Sequence, residues 1–262
     1  MSPQGDLIDR RISIPGVTAL LRASVGILAV SNNGLSIVAG QDNSEVALPQ
    51  VDFPIEPPLT AKPNGRTNDA KVGNDGALWV GTMTDPPSHG DGNLFRLAMA
   101  GSSITCVSVR EEVTISNGIA WIEEPNGFYY IDTPMHAIDF GHVRRSEVVF
   151  ERVMALSPTL GDPDGMTISA DGRLFVAMWG GSKVLVIDPN QENIVDRITV
   201  PAKFVTSCIF GGENFDTLFV TTATWEAAGE ASVQPADDLG GSVFAVTGVG
   251  QGKAEPLVQI KV

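Results

Sequence analysis

The chain has 262 residues, with 28 Gly and 17 Pro, enough for one large core with many tight turns. A formal charge of −14 argues against a nucleic-acid partner, which needs a basic face. It reads first as a solvated acidic surface, with room for a divalent cation.

The N-terminal MSPQGDLIDRR has no apolar segment, so no signal peptide is predicted. The most apolar stretch, VTALLRASVGILAV, is broken by Arg22, and no membrane span is predicted. Short strand-like runs then dominate: Ile27 to Val30, Leu35 to Val38, Leu78 to Val80, Phe128 to Ile131, Leu174 to Ala177 and Leu218 to Val220. Many follow an Asx-Gly turn directly. The phrases are NNGLSIVAG (32–40), NDGALWVGT (74–82), PNGFYYIDT (125–133), ADGRLFVAM (170–178) and a degenerate NFDTLFVTT (214–222). Their turn positions, Gly34, Gly76, Gly127, Gly172 and Asp216, are spaced by 42, 51, 45 and 44 residues. A period of about 45 with several strands per unit predicts a β-propeller, all-β and a single domain over 1–262. DGNLFRLAM (91–99), GGSKVLVIDP (180–189) and GGSVFAVTG (240–248) read as the next strand outward in their blades. The segment 223–241 reads as a surface loop with a helical turn. DLIDRRISIP near the start resembles the late part of a blade, and the chain ends in the strand-like VQIKV. The expectation is about five complete blades plus a partial one made by the two termini.

Cys106 and Cys208 lie in apolar strand-like runs and are expected to be reduced core residues, which suits a cytoplasmic protein. Trp79, Trp121 and Trp179 sit at successive repeats and read as blade packing. Trp225 opens the long loop and reads either as pocket rim or as loop anchor. His136 and His142 lack a third ligand, so no zinc site is expected there. No Gly-x-Ser-x-Gly elbow and no phosphate loop occur.

Three polar phrases interrupt the strand rhythm where a propeller strand enters its channel. RTNDAKVG (66–73) offers Arg66, Asn68 and Asp69 as groups for hydroxyl or carbonyl oxygens. ISNGIAW (115–121) and DPDGMTI (162–168) share an oxygen-bearing residue, then Gly, then an apolar residue. Each phrase alone reads as a turn. Their matched repeat positions instead place Asn117 and Asp164 side by side at the channel mouth, as hard oxygen ligands for a divalent ion.

RTNDAKVGNDGALWVGTM, ISNGIAW with YYIDT, DPDGMTISADGRLFVAMWGGSKVLVIDP and TSCIFGG together resemble the SMP-30/gluconolactonase/regucalcin-like family, over residues from about 15 to 255. The resemblance implies a six-bladed propeller with one divalent metal on its axis (Ca²⁺ or Zn²⁺, with Mg²⁺ or Mn²⁺ as alternatives) and hydrolysis of sugar lactones. It implies Asn117 and Asp164 as metal ligands and Asp164 as the acid that handles the water proton. Arg66 and Asn68 are implied as substrate-binding groups, with Asp85 as the nearest match to a further acid. A non-enzymatic calcium-binding regulator and an inactive propeller scaffold are the rival readings. The family's first-blade Gly-Glu-x-Pro-x-Trp phrase, whose Glu is a metal ligand, has no counterpart. Roughly 40–50 residues of the family pattern, about one blade, are therefore expected to be missing.

Overall fold

Runs such as LFVAM at 174–178 are apolar at every position, which a strand tolerates only when both of its faces are buried. A computed structural model describes residues 16–24, 26–32, 34–38, 50–53, 59, 62–100, 103–144 and 147–258. Within these, five antiparallel sheets follow one another along the chain. The first holds β1 (Val17–Ala23), β2 (Gly26–Ser31), β3 (Gly34–Val38) and β4 (Gln50–Phe53). The second holds β5 (Gly65–Val72), β6 (Leu78–Thr84), β7 (Gly92–Ala100) and β8 (Ser103–Val113). The third holds β9 (Ser116–Ile122), β10 (Gly127–Asp132), β11 (Ala137–Arg144) and β12 (Glu147–Ala155). The fourth holds β13 (Asp162–Ile168), β14 (Leu174–Trp179), β15 (Lys183–Asp188) and β16 (Asn193–Thr199), and the fifth β17 (Phe204–Gly211), β18 (Thr217–Ala223) and β19 (Val243–Thr247). Each sheet is a meander whose neighbours in sequence pair in space. The first strands of adjoining sheets pack on each other in the series β1, β5, β9, β13, β17, so they are the inner strands of successive blades.

The core lies between blades rather than inside any one of them. Along β14, Leu174, Val176 and Met178 face the third sheet, whereas Phe175 and Ala177 face the fifth. Along β10, Phe128 and Tyr130 pack with Trp79 and Leu94 of the second sheet, while Tyr129 and Ile131 pack toward Met166 and Leu174 of the fourth. Each such large side chain contributes about 1.5–3 kcal/mol by leaving water. Trp79, Trp121 and Phe128 meet at 4.7–5.0 Å between ring centroids, as expected for blade packing.

One member of the repeat set is displaced. Gly34 lies in the hairpin between the second and third strands of its blade, because Ser31 pairs with Gly34 across that turn. The turn equivalent to Gly76, Gly127 and Gly172 is the one at Gly26, between β1 and β2. An Asn-Gly pair suits any short hairpin, so it cannot say which hairpin of a blade it closes.

The expected partial blade falls largely on residues 1–15 and 259–262, outside the described residues, and the described residues hold five sheets, not six. The described C-terminal stretch runs from the last blade to the first. Gly252 N donates to Phe215 O at 2.8 Å, Lys71 pairs with Glu255, and Val258 bridges Ala23 in parallel. Residues 224–241 form a loop with one helical turn, in which Ala228 N donates to Thr224 O at 3.0 Å. No helix among the described residues is long and apolar enough to cross a membrane.

Candidate functional site

The Asn-Gly and Asp-Gly pairs of the polar phrases are not turns. They lie inside inner strands β9 and β13. A Cβ on Gly118 would sit 2.8 Å from Asp164 O and 2.7 Å from Met166 Cβ. A Cβ on Gly165 would sit 2.6 Å from Ser207 Cβ. Glycine is required because adjoining inner strands converge on the axis and leave no room for a side chain. The residue just before each glycine, Asn117 or Asp164, is thereby brought against the neighbouring blade. Asn68 of β5 bonds Asn117 of β9, and Gly118 of β9 lies against Asp164 of β13, so the three polar phrases adjoin near their strand starts, at the mouth expected of a propeller channel.

A hydrogen-bonded line crosses that mouth. Arg66 Nη1 donates to Asn68 Oδ1 at 2.8 Å. Asn68 Nδ2 donates to Asn117 Oδ1 at 3.0 Å and to Ser116 O at 3.0 Å. Asn117 Nδ2 donates to Thr133 Oγ1 at 2.8 Å, and Thr133 Oγ1 donates to Pro163 O at 2.8 Å. The line runs from β5 through β9 and the end of β10 to β13, and it stops one residue short of Asp164. Asn117 and Thr133 are buried, whereas Arg66 and Asn68 are half-buried.

Charge in the channel is unbalanced. Asp69 and Asp164 are half-buried. Burial pushes the Asp164 carboxyl well above the usual carboxylate range, and the charge of Asp69 adds to the shift; the Gly165 N–H and Arg66 oppose it. Burial also raises Asp69, against the pull of Lys71 and the Ala70 N–H. Arg66 is lowered by burial, partly offset by Asp85 and Asp164. Asp85 is exposed at the rim beyond β6, where it acts on Arg66 through its charge. The structure thus brings Arg66, Asn68 and Asn117 into one bonded line, with Asp164 beside it and Asp85 at its edge.

Two contributors escaped the sequence reading. Thr133 ends the repeat phrase YYIDT, and its place after an inward-running second strand was the available signal. Glu255 sits in a segment with no motif at all. His136 Nε2 meets Asp162 Oδ1 and His142 Nε2 meets Glu151 Oε1, each at 2.8 Å. Trp225 serves as loop anchor, with its ring 5.7 Å from that of Phe204 and 4.3 Å from Lys203 Nζ.

The donor chemistry fits a hard divalent ion. Asp164 offers a carboxylate whose negative charge is unfavourable without a cation nearby, and Asn117 Oδ1 keeps one lone pair beyond its bond to Asn68. Among the described residues no cluster of three or more His, Cys, Asp or Glu gathers, so these two oxygens would need water to complete a shell.

Comparison with known proteins follows the same lines. A Bacillus subtilis protein that carries the name of a sugar lactone lactonase, YvrE, is 42% identical over 166 residues, 61% of this chain and 54% of that protein. The chain's match thus spans about half of that relative's length. Regucalcin of Xenopus laevis is 29% identical over 247 residues, covering 91% of this chain and 79% of that protein. The structure of a calcium-binding protein, regucalcin, from Agrobacterium tumefaciens shares the fold with a TM-score of 0.76 at 23% identity, over 95% of this chain and 82% of the other. Residues 9–224 match the family described as SMP-30/Gluconolactonase/LRE-like region, and the chain belongs to that family.

Proposed function

We propose that this protein hydrolyses a sugar lactone at the channel mouth, with a divalent ion held by Asp164 and Asn117. The observation that carries the reading is the line Arg66–Asn68–Asn117–Thr133, which reaches the carbonyl of Pro163, the residue before Asp164, whose carboxyl is pushed up by burial and by the charge of Asp69. The ion, when bound, supplies a Lewis acid for the lactone carbonyl and its developing oxyanion. Arg66 and Asn68 hold the sugar hydroxyls, and Asp85 tunes the charge of Arg66 from the rim. Asp164 takes a proton from the attacking water. Water adds to the carbonyl carbon, the ring C–O bond breaks, and the proton passes to the leaving alkoxide, giving the open hydroxy acid. The two unpaired thiols of Cys106 and Cys208 suit a cytoplasmic setting.

The relatives named regucalcin favour a second reading, a calcium-binding protein without turnover. One experiment separates the two: hydrolysis of gluconolactone followed with Ca²⁺, Zn²⁺, Mg²⁺ or Mn²⁺ and after chelation, for wild type and Asp164→Ala. Metal-dependent turnover lost in Asp164→Ala supports the lactonase. Ca²⁺ binding without turnover on any sugar lactone tried supports the second reading.

A further inference from the structure

We infer that Thr133 is a positioning residue: its hydroxyl accepts from the side-chain amide of Asn117 and, with Asn68 set at the other end by Arg66 and Ser116 O, holds the Asn117 amide in one orientation. The inference deepens the proposed metal site but rests first on hydrogen-bond polarity. An amide can present either its oxygen or its nitrogen, and only its partners decide which.

Here both ends of the line are fixed. Arg66 can only donate, so Asn68 must show it Oδ1, at 2.8 Å. The carbonyl of Pro163 can only accept, so the single proton of Thr133 is committed to it, at 2.8 Å. Toward Asn117, Thr133 is then left as an acceptor and draws Nδ2, at 2.8 Å. Asn117 must therefore turn Oδ1 to Asn68, whose Nδ2 donates to it at 3.0 Å. All four bonds run one way, from the guanidinium to the carbonyl, and bonds so aligned polarise one another. The proton count leaves one arrangement, in which Asn117 offers an oxygen where the proposed cation would bind. Were the amide reversed, an NH₂ group would face Asn68 and the ion.

Burial makes the arrangement costly to lose. Thr133 is 8% and Asn117 6% exposed, so water does not readily replace a missing partner. Thr133 is itself held by its backbone, which donates to Ile115 O at 3.1 Å. Its hydroxyl bonds Asn117 and Pro163, and it reaches the rest of the line through Asn117.

The test compares wild type with Thr133→Val, Thr133→Ala and Thr133→Ser. The first readout is hydrogen exchange of the Asn68 and Asn117 side-chain amides by NMR, in metal-free buffer. Wild type is expected to protect both amides relative to exposed asparagines, and the valine and alanine variants to lose the Asn117 protection by about ten-fold or more, with serine restoring it, while Asn68 keeps its bond to Ser116 O and serves as the internal reference. The second readout is Mn²⁺ and Ca²⁺ affinity by calorimetry, expected to fall about 10- to 100-fold in Thr133→Val and to return in Thr133→Ser. Unprotected Asn117 amide protons in wild type overturn the inference without any variant. Asn117 protection unchanged in a folded Thr133→Val or Thr133→Ala overturns it too. Loss of amide protection in a protein with no lactonase activity would sustain the inference while defeating the proposed function. Lactonase activity and metal affinity indifferent to Thr133→Val would do the reverse.

Discussion

The Cβ that Gly118 lacks would lie 2.8 Å from the carbonyl oxygen of Asp164. That spacing joins packing and chemistry, because the same approach of β9 to β13 brings the glycine after Asn117 against the backbone of Asp164. Gly118→Ala should therefore lower stability by about 1–3 kcal/mol through overpacking, since the blocking atoms are backbone and Met166 Cβ rather than a mobile tip. Urea denaturation would report it as a lower midpoint at unchanged slope. An unshifted midpoint would mean that the strands separate more easily than their packing indicates.

Asp69 contributes to the pH dependence of stability. Its carboxyl is raised in the folded protein by burial, despite Lys71 and the Ala70 N–H. The native state thus keeps a proton that the unfolded chain has released. Stability falls as pH rises from the ordinary Asp range to the raised folded value. Asp69→Asn keeps an oxygen for the Ala70 N–H and removes the charge. It should be more stable than wild type at about pH 7.5 in chelator, with the difference closing near about pH 3.5. Thermal melts at the two pH values measure this, and a variant less stable at neutral pH would contradict it.

Lys71 and Glu255 tie the C-terminal stretch to β5, with side chains 14% and 30% exposed. Glu255 raises the Lys71 ammonium although burial opposes it. Glu255→Gln takes the paired carboxylate away from that ammonium and leaves it the charge of Asp69. The cost should lie between the exposed and buried limits, about 1–3 kcal/mol. Amide exchange at Ser24, which donates to Val258 O at 3.0 Å, should accelerate more than exchange in β14. Equal acceleration everywhere would mean that the tie is not local.

Arg66→Ala removes a charged donor from the proposed sugar contacts. A lost charged hydrogen bond of about 1.5–3 kcal/mol corresponds to about a 10- to 100-fold rise in KM for gluconolactone, with a smaller change in kcat. A fall confined to kcat would assign Arg66 to the transition state instead.

Thiol labelling tests the core. Cys208 is buried, donates to Phe175 O at 3.2 Å, and burial pushes its thiol up to about 12. Cys106 on β8 is half-buried and its thiol less displaced. An aromatic disulfide reagent should modify Cys106 in the native protein and Cys208 only on unfolding. Rapid native labelling of both would show that the fifth blade opens readily.

Much of this was legible in sequence because it is local. Apolar runs bounded by Asx-Gly are strand and turn in almost any context, and their recurrence marked the blades. LFVAM is apolar throughout because each of its faces meets a different blade. Asn117, Asp164, Arg66 and Asn68 stood out as polar residues breaking that rhythm. Tertiary structure decided the rest. Gly34 turned out to lie in the second hairpin of its blade, since pairing partners and not turn residues set strand order. Asn-Gly at 117–118 and Asp-Gly at 164–165 are strand, not turn, because glycine there answers a neighbouring backbone that no local pattern records. The direction in which Asn117 points depends on Thr133, Pro163 and Arg66 at once, and proton counting across three blades requires those blades to be assembled. The charge of Asp164 likewise depends on Asp69 of another blade. Interactions between strands far apart in the chain leave no periodicity to read, whereas those within one hairpin do.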